Sequence, residues 1–162
     1  MLDLSEAHLI HRGANRACYR HPGAADRCIK VDLPGGEGTR QGLNAIEFEH
    51  YGDLVRRAGE ALYRHAPRCH GYVETSLGPG LCFELIRDAD GNASERFDRY
   101  ISLSGCSCDD ALALIDRLYG FVREAGVMLF DVNLHNLLVR VGPTRGVGGG
   151  VELVAIDWKG MR

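Results

Sequence analysis

The chain has 162 residues, of which 45% are hydrophobic and 25% are charged, and its formal net charge is −3. This length suits one domain or two small lobes, and the negative balance with scattered arginines argues against a nucleic-acid-binding surface. No apolar run approaches the roughly 20 residues that span a bilayer, and the N-terminus "MLDLSEAHLI" carries acids where a signal peptide needs cations. We therefore expect a cytoplasmic protein with no membrane or nucleic-acid partner.

The N-terminal elements come first. After a polar turn, "HRGANR", residues 17–22 predict a strand. Residues 26–33 predict a stronger strand, because Ile29, Val31 and Leu33 alternate with Cys28, Lys30 and Asp32. The stretch "PGGEGTRQG" at 34–42 then interrupts the chain with four glycines and a proline.

A helix is predicted over residues 44–64, because apolar residues and one acid recur on a single face. This face comprises Glu47, Tyr51, Leu54, Val55, Ala58 and Leu62. Strands at 71–75 and 80–86 follow, around the turn "SLGPG". A short helix is predicted over 94–103 and a long one over 109–125, with Asp109 as its cap.

The C-terminal part predicts a hairpin of strands at 136–141 and 151–157, joined by a glycine-rich turn. The whole order is strands, helix, strands, helices and hairpin, which indicates an α+β fold and not alternating βαβ units. The six cysteines include no CxxC pair, so we expect buried reduced thiols and no zinc site.

The segment "FDVNLHNLLV" places Asp131 and Asn136 just before the predicted hairpin. An Asx-rich turn explains these residue types equally well on local grounds. However, the start of one hairpin strand lies beside the end of the other, so Asn136 should meet Asp157, with Asp131 nearby. Amide and carboxylate oxygens suit magnesium, and a further carboxylate can orient a hydroxyl.

These motifs resemble those of protein kinases. "FDVNLHNLLV" resembles the catalytic loop, and "AIDWKG" is similar to the metal-binding Asp-Phe-Gly segment. "RCIK" looks like the strand that carries the phosphate-binding lysine, and "LCFELI" resembles the strand that leads into the hinge. The elements "CYRHP", "RCIK" and "HGYVET", with their spacing, are similar to the YrbL family, bacterial proteins tied to the PhoP regulatory network.

The resemblance implies an ATP and Mg²⁺ site. Lys30 would contact the phosphates, Asp131 would be catalytic, and Asn136 and Asp157 would bind the metal. The helix partner of Lys30 is Glu47 or Glu49, and we choose Glu47 because it shares the apolar stripe. The remaining nucleotide contacts would come from Gly13, Asn15, Arg16, Cys28, the gatekeeper Phe83, and the hinge backbone from Glu84 to Ile86. For Cys28, an ordinary half-buried thiol is an equal alternative.

Several positions depart from the kinase pattern. The phosphate loop keeps only Gly13, and Arg16 replaces a glycine, although Asn15 and Arg16 could donate side-chain hydrogen bonds. Leu129 and Phe130 replace the usual His and Arg. In addition, Asn133 stands in place of a lysine, and Lys159 stands in place of a glycine. Five residues follow Asp157, so we expect no activation segment and no platform for a peptide acceptor.

The fold expected is therefore a reduced protein kinase-like fold. It combines an antiparallel-sheet N-lobe with one long helix, residues 1–86, and a minimal C-lobe of helix and β-hairpin, residues 87–162. The first functional hypothesis is an ATP/Mg-dependent phosphotransferase with an unknown alcohol acceptor. The alternatives are a pseudokinase-type regulatory or scaffolding module, and a fold inherited without nucleotide binding. The apolar stripe of the 109–125 helix further predicts a homodimer or a regulatory protein partner at that face.

Overall fold

The computed structural model describes residues 1–34, 42–129, 132–143 and 150–158. Its strands are β1 (Leu9–Arg12), β2 (Arg16–Arg20), β3 (Arg27–Asp32), β4 (Cys69–Thr75), β5 (Gly78–Glu84), β6 (Glu95–Arg96), β7 (Leu137–Val141) and β8 (Val151–Ala155). Its α-helices are α1 (Leu43–Ala58), α2 (Phe97–Ser104) and α3 (Cys108–Glu124), and the 3₁₀ helices are Glu6–His8, Gly59–Arg64 and Leu134–Asn136. The α+β class predicted from the sequence is confirmed.

The chain forms two compact units. The first contains residues 1–49 and 68–85, and the second contains residues 50–67 and 86–162. The change of unit inside α1 was not foreseen, because the sequence pattern of that helix is continuous.

The first unit is built on a five-stranded antiparallel sheet in the order β1-β2-β3-β5-β4. One face of this sheet is the core of the unit, formed by Leu4, Ala17, Tyr19, Ile29, Val31 and Cys82. Alternation along β3 buries Ile29 and Val31 on that face, and it turns Lys30 to the other. The strand β1 was missed, because three of its four residues are exposed and show no apolar alternation.

The second unit contains a three-stranded antiparallel sheet in the order β6-β7-β8, with α3 packed against β8. The predicted hairpin is confirmed, and its register pairs Leu137 with Ala155 and Val141 with Val151. The first strand begins one residue later than predicted, because Asn136 belongs to the preceding 3₁₀ helix.

Three predicted helix boundaries were wrong. The helix predicted over 94–103 begins at Phe97, because Glu95 and Arg96 form the strand β6. The helix predicted to reach residue 64 ends as an α-helix at Ala58, because Gly59 takes a positive φ of 56° and a 3₁₀ helix follows. The cap of α3 is Ser107 and not Asp109. The Ser107 hydroxyl oxygen accepts the Asp110 N–H at 3.1 Å, and this places Asp109 in the first turn.

The apolar stripe of α3 is partly covered within the second unit. Leu114 and Leu118 are buried, whereas Leu112 and Tyr119, on another face of the helix, are exposed. The expected homodimer through residues 109–125 stays a prediction, and light scattering at high protein concentration tests it. Within the described residues, no helix is long and apolar enough to cross a membrane.

Candidate functional site

Lys30 lies on the face of the first unit's sheet that is opposite the core. In the ladder it pairs with Cys18 on one side and with Leu81 on the other. Directly opposed residues of antiparallel strands share a face, so Cys18 and Leu81 flank the lysine. The side chain of Lys30 is 11% exposed, so its ammonium group needs a partner inside the protein.

That partner is Glu47 of α1. Lys30 Nζ lies 2.7 Å from Glu47 Oε1, and the Glu47 side chain is 1% exposed. Glu49 is exposed. The helical stripe therefore distinguished the two acids correctly, whereas the role of the pair in nucleotide binding stays a prediction.

Arg16 is a second cationic partner of Glu47. Its Nη1 donates to Glu47 Oε2 and to Asn44 Oδ1, the latter at 3.4 Å. Asn44 in turn donates from Nδ2 to the Lys30 carbonyl oxygen at 2.9 Å. Sequence reasoning missed Asn44, although its position three residues before Glu47 places both on one helical face. Through these bonds, the side chains of Arg16, Asn44 and Glu47 join β2 and β3 to the N-terminal part of α1.

The charge balance keeps Glu47 ionised. Burial alone would raise the pKa of this carboxyl, but Lys30 and Arg16 outweigh burial and lower the pKa to about 2. A buried carboxylate with two cationic donors is a rigid anchor for both cations. The arrangement can therefore hold the Lys30 ammonium group in one place, which a phosphate-binding lysine requires.

Phe83 and Cys28 lie on the same side of the sheet as Lys30, because they are directly opposed in the ladder of β3 and β5. Lys30 Nζ is 4.5 Å from the centroid of the Phe83 ring, which is a cation–π contact. Phe83 is 1% exposed and Cys28 is 8% exposed. Cys28 is therefore more deeply buried than the half-buried thiol that we gave as the alternative. The proposed contact of Cys28 with adenine stays a prediction.

The predicted hinge segment carries several backbone hydrogen bonds. Glu84 donates its N–H to the Arg68 carbonyl at 2.8 Å, and its own carbonyl oxygen lies 3.8 Å from Cys28 Sγ. The Ile86 carbonyl accepts the Ser94 N–H at 3.0 Å within the second unit. These bonds fix the course of the segment.

The turn before β2 is held by its own backbone. Gly13 N–H donates to the Arg16 carbonyl at 2.8 Å, and the Asn15 carbonyl accepts the Leu33 N–H at 2.9 Å. A Cβ at Gly13 would make only an ordinary contact with the Arg16 carbonyl oxygen, at 3.4 Å. The turn therefore does not depend on glycine for space.

The second unit places Asn136 and Asp157 at one end of the β7–β8 hairpin. The Ile156 N–H donates to the Asn136 carbonyl at 2.9 Å. Because Asp157 directly follows Ile156, its backbone lies close to that of Asn136. Asn133 caps the 3₁₀ helix that precedes β7, because its side-chain oxygen accepts the N–H groups of His135 and Asn136. The two backbones thus meet at this end of the hairpin, whereas the predicted convergence of the side chains of Asn136, Asp157 and Asp131 stays a prediction. Asp131, the predicted catalytic residue, lies outside the described residues, as does Lys159.

Asp157 is flanked by anchored neighbours. Trp158, 1% exposed, donates its indole N–H to the Ala155 carbonyl at 2.7 Å. Ala155 N–H donates to the His65 carbonyl at 2.9 Å, and His65 Nδ1 lies 2.8 Å from the Leu153 carbonyl oxygen. His65 was not singled out from the sequence, because an isolated histidine after a helix gives no periodic signal. It supports the strand that leads to Asp157.

The oxygen donors at this hairpin end fit magnesium. Mg²⁺ takes one or two protein carboxylates and completes its shell with water and phosphate oxygens, so an Asn and an Asp are a sufficient protein contribution. Among the described residues, no cluster of three His, Cys, Asp or Glu side chains could hold a metal by itself. An amide oxygen and a carboxylate oxygen are of the type that Mg²⁺ takes beside water and phosphate oxygens.

Known proteins are similar to this chain in sequence and in fold. A family model for the PhoP regulatory network protein YrbL matches residues 2–157. The chain belongs to the YrbL family. It is 30% identical over 142 residues to the YrbL proteins of Escherichia coli (strain K12) and Shigella flexneri. The match includes 85% of this chain and 65% of those relatives, so this family member spans less than two thirds of their length.

Solved structures show that the fold is kinase-like. The co-crystal structure of WbdD with the kinase inhibitor LY294002 matches at a TM-score of 0.58 and 15% identity, over 92% of this chain and 32% of that one. The BubR1 kinase domain matches at a TM-score of 0.60 and 15% identity, over 93% of this chain and 45% of that one. The predicted family and the predicted kinase-like fold are both confirmed.

Proposed function

We propose that this YrbL family member is an ATP- and magnesium-dependent phosphotransferase that transfers a phosphoryl group to an alcohol acceptor. The observation that carries the proposal is the buried ion pair between Lys30 and Glu47, at 2.7 Å. A strand lysine held by a helix glutamate is the arrangement with which kinase-like proteins grip nucleotide phosphates. A buried ion pair is weak support for stability alone, because apolar side chains of similar volume often stabilise a core at least as well.

Each unit contributes its own set of residues to this proposal. In the first unit, Lys30 would contact phosphate oxygens, while Phe83 and Cys28 would contact the base. In the second unit, Asn136 and Asp157 would hold Mg²⁺, which would supply charge neutralisation for the phosphates. Asp131 would orient the acceptor hydroxyl. The acceptor and any regulatory protein partner are not identified by these residues.

A second function, a pseudokinase-type regulatory or scaffolding module, is favoured by Arg16. This residue stands where the kinase pattern has glycine, and its guanidinium shares Glu47 with Lys30. An arginine here restricts how a backbone loop can surround phosphate. In the module, nucleotide would bind and regulate, without rapid transfer. The membership in a family named for the PhoP regulatory network supports a regulatory role of either kind.

A thermal melt tests whether nucleotide binds at all. A ligand that binds only the native state raises the melting temperature by mass action. We expect millimolar ATP with Mg²⁺ to raise the melting temperature of the wild type, and Mg²⁺ alone to have no such effect. Lys30→Met should abolish the rise, whereas Arg57→Met, at an exposed position of α1, should retain it.

The outcome discriminates between the hypotheses. A wild-type melt unmoved by ATP and Mg²⁺ would contradict both the phosphotransferase and the nucleotide-dependent module, and it would leave a fold inherited without nucleotide binding. A rise that Lys30→Met does not reduce would place the nucleotide elsewhere on the protein.

A further inference from the structure

Three arginines of the second unit gather around one glutamate. Arg64 ends the 3₁₀ helix that follows α1, and Arg117 lies in α3. Arg140 of β7 is directly opposite Glu152 of β8 in the hairpin ladder. Arg64 donates from Nε and Nη2 to Glu152 Oε1 at 2.9 and 2.5 Å, and Arg117 Nε lies 4.0 Å from Glu152 Oε2. The fold thus collects, from four separate elements, arginines that are scattered in the sequence.

Backbone carbonyl groups hold two of these guanidinium groups in place. Arg140 Nη2 donates to the carbonyl oxygens of Tyr63 and Arg64 at 3.1 and 2.8 Å. Arg117 Nη2 donates to the Val151 carbonyl oxygen at 2.9 Å. These bonds use one nitrogen of each group, and a guanidinium group carries five N–H donors. The two groups are therefore fixed before a ligand binds, which reduces the entropy that binding costs.

Positive charge is in excess at this place. Three guanidinium groups against one carboxylate leave two positive charges in excess. Of the residues that the structure describes, Glu152 is the only acid that forms an ion pair with any of the three arginines. The chain as a whole has a net charge of −3, so this patch has the opposite sign to the protein that carries it.

The single acid does not satisfy the whole cluster. Arg117 Nε and Glu152 Oε2 are both buried, and neither has a hydrogen-bond partner among the described residues. The side chain of Glu152 is 15% exposed, whereas that of Arg64 is 64% exposed. A ligand from solvent therefore meets Arg64 before it meets the acid.

We propose that Arg64, Arg117 and Arg140 form a docking surface for an acidic peptide segment of a partner protein. Carboxylate groups suit the planar forks of arginine, which bind them with two parallel hydrogen bonds. An excess of two charges fits a short acidic segment, whereas binding along a nucleic-acid backbone depends on many phosphate contacts. The surface uses none of the residues proposed to hold nucleotide, metal or acceptor, so it stands or falls separately from the proposed function.

Fluorescence anisotropy with the full chain tests the surface. The probe is a fluorescein-labelled ten-residue peptide of alternating glutamate and serine, and the comparison peptide has glutamine in place of glutamate. At low ionic strength we expect saturable binding of the glutamate peptide and no binding of the glutamine peptide. Salt at about 0.15 M should weaken the binding, because it screens exposed charges.

Two substitutions should change the affinity in opposite directions. Arg64→Gln removes the most exposed cation and should weaken binding roughly threefold, as expected for one exposed ion pair. Glu152→Gln removes the acid that competes with the peptide while all three arginines remain, so it should tighten binding roughly threefold. A purely structural role of the cluster would not give tighter binding. Thermal melts establish that each variant keeps its fold, and the Arg64 comparison stands by itself if Glu152→Gln does not fold.

Arg99→Gln is the matched control. Arg99 is an exposed arginine of α2 with its own acid, Glu95, at 3.4 Å, so its loss should leave the affinity unchanged. Equal weakening in Arg99→Gln and Arg64→Gln would overturn the proposal, because general charge would then govern binding. Wild-type affinity in Arg64→Gln, or weaker binding in folded Glu152→Gln, would also overturn it.

Two competitors identify the class of ligand. Millimolar inorganic phosphate should displace little of the peptide, and a single-stranded oligonucleotide should bind more weakly than the peptide does. Full displacement by phosphate would assign the patch to small anions, and tighter binding of the oligonucleotide would assign it to nucleic acid. Either result would overturn the assignment to an acidic segment of a protein.

Discussion

The carboxylate of Glu47 is shared by Lys30 and Arg16, one cation on each oxygen. Lys30 Nζ is 2.7 Å from Oε1, and the Arg16 guanidinium donates to Oε2. The side chains of the two cations are 11% and 12% exposed, so both are held mainly by this acid. Loss of either cation therefore leaves the carboxylate with a cationic partner, whereas loss of the acid removes the one carboxylate that these two neighbouring cations share.

The first prediction is an order of stabilities. Glu47→Gln should destabilise the fold most among the single variants, by about 3–5 kcal/mol, because it removes the negative charge that two largely buried cations share. Lys30→Met and Arg16→Met should each cost less, since the remaining cation still pairs with Glu47. Urea denaturation of the three proteins measures the order.

The double variant provides the stricter test. Lys30→Met with Arg16→Met leaves the carboxylate of Glu47 buried without either cation, so its cost should exceed the sum of the two single costs. The control is Arg57→Met, which is exposed on the same helix and should add independently to each single variant. Simple additivity of Lys30 and Arg16 would show that they do not share the acid energetically.

The second prediction concerns a glycine in the strand β5. A Cβ at Gly80 would collide with Cγ2 of Ile29, a fully buried residue whose branched side chain has little freedom to move. Gly80→Ala should therefore destabilise the protein by about 1–3 kcal/mol. Chemical denaturation measures this cost.

Gly120 is the matched control. It lies inside α3, one turn before its C-terminal end, and apart from its chain neighbours and the backbone of its own helix a Cβ there would have no heavy atom within 4 Å. Gly120→Ala should stabilise the protein by roughly 0.5–1 kcal/mol, because alanine is the better helix former. If both substitutions shifted stability in the same direction, the collision at Gly80 would not be the cause.

Much of the Lys30 site could be predicted from the sequence. The alternation of β3 placed Lys30 opposite Ile29 and Val31, and the helical period of α1 selected Glu47 over Glu49. Both inferences depend only on local periodicity, which the sequence carries directly. The meeting of Asn136 and Asp157 followed from hairpin geometry in the same way.

The remainder depends on long-range contacts or on backbone details. Arg16 reaches Glu47 across a sequence separation of 31 residues, and no local pattern indicates that a second cation shares this acid. The helix α1 ends at Ala58 although the apolar spacing continues to Leu62, because Gly59 adopts the left-handed conformation. Serine and aspartate both cap helices well, so the residue types alone do not show that Ser107, and not Asp109, is the cap of α3.

The third prediction is a pH dependence of stability. Burial lowers the pKa of His65, while its hydrogen bond to the Leu153 carbonyl partly opposes this. Unfolded His65 has its ordinary pKa near 6.5, so the unfolded chain binds more protons as the pH falls below about 6.5. Stability should therefore decrease from pH 7.5 to pH 5.5 through this residue.

A neutral substitute isolates the effect of His65. His65→Asn retains an N–H donor for Leu153 but does not titrate, so its denaturation midpoint should fall less between the two pH values than that of the wild type. His11→Asn, at an exposed position of β1, is the control and should keep the wild-type dependence. An unchanged dependence in His65→Asn would assign the pH effect to other groups.

The last prediction separates phosphotransferase from pseudokinase, and it compares two acids. If phosphoryl transfer occurs, Asp131 orients the acceptor hydroxyl, and positioning of this kind contributes strongly to the rate. Asp131→Asn should then abolish or greatly slow transfer or ATP hydrolysis, while the nucleotide-dependent rise in melting temperature is retained. Asp157→Asn should instead reduce the Mg²⁺-dependent rise itself, because it removes a negative charge from the proposed metal ligands. If Asp131 is only a turn-former, asparagine serves nearly as well, and Asp131→Asn changes neither stability nor turnover. A wild-type rate of phosphate release in purified Asp131→Asn would therefore eliminate its catalytic role and favour the regulatory module.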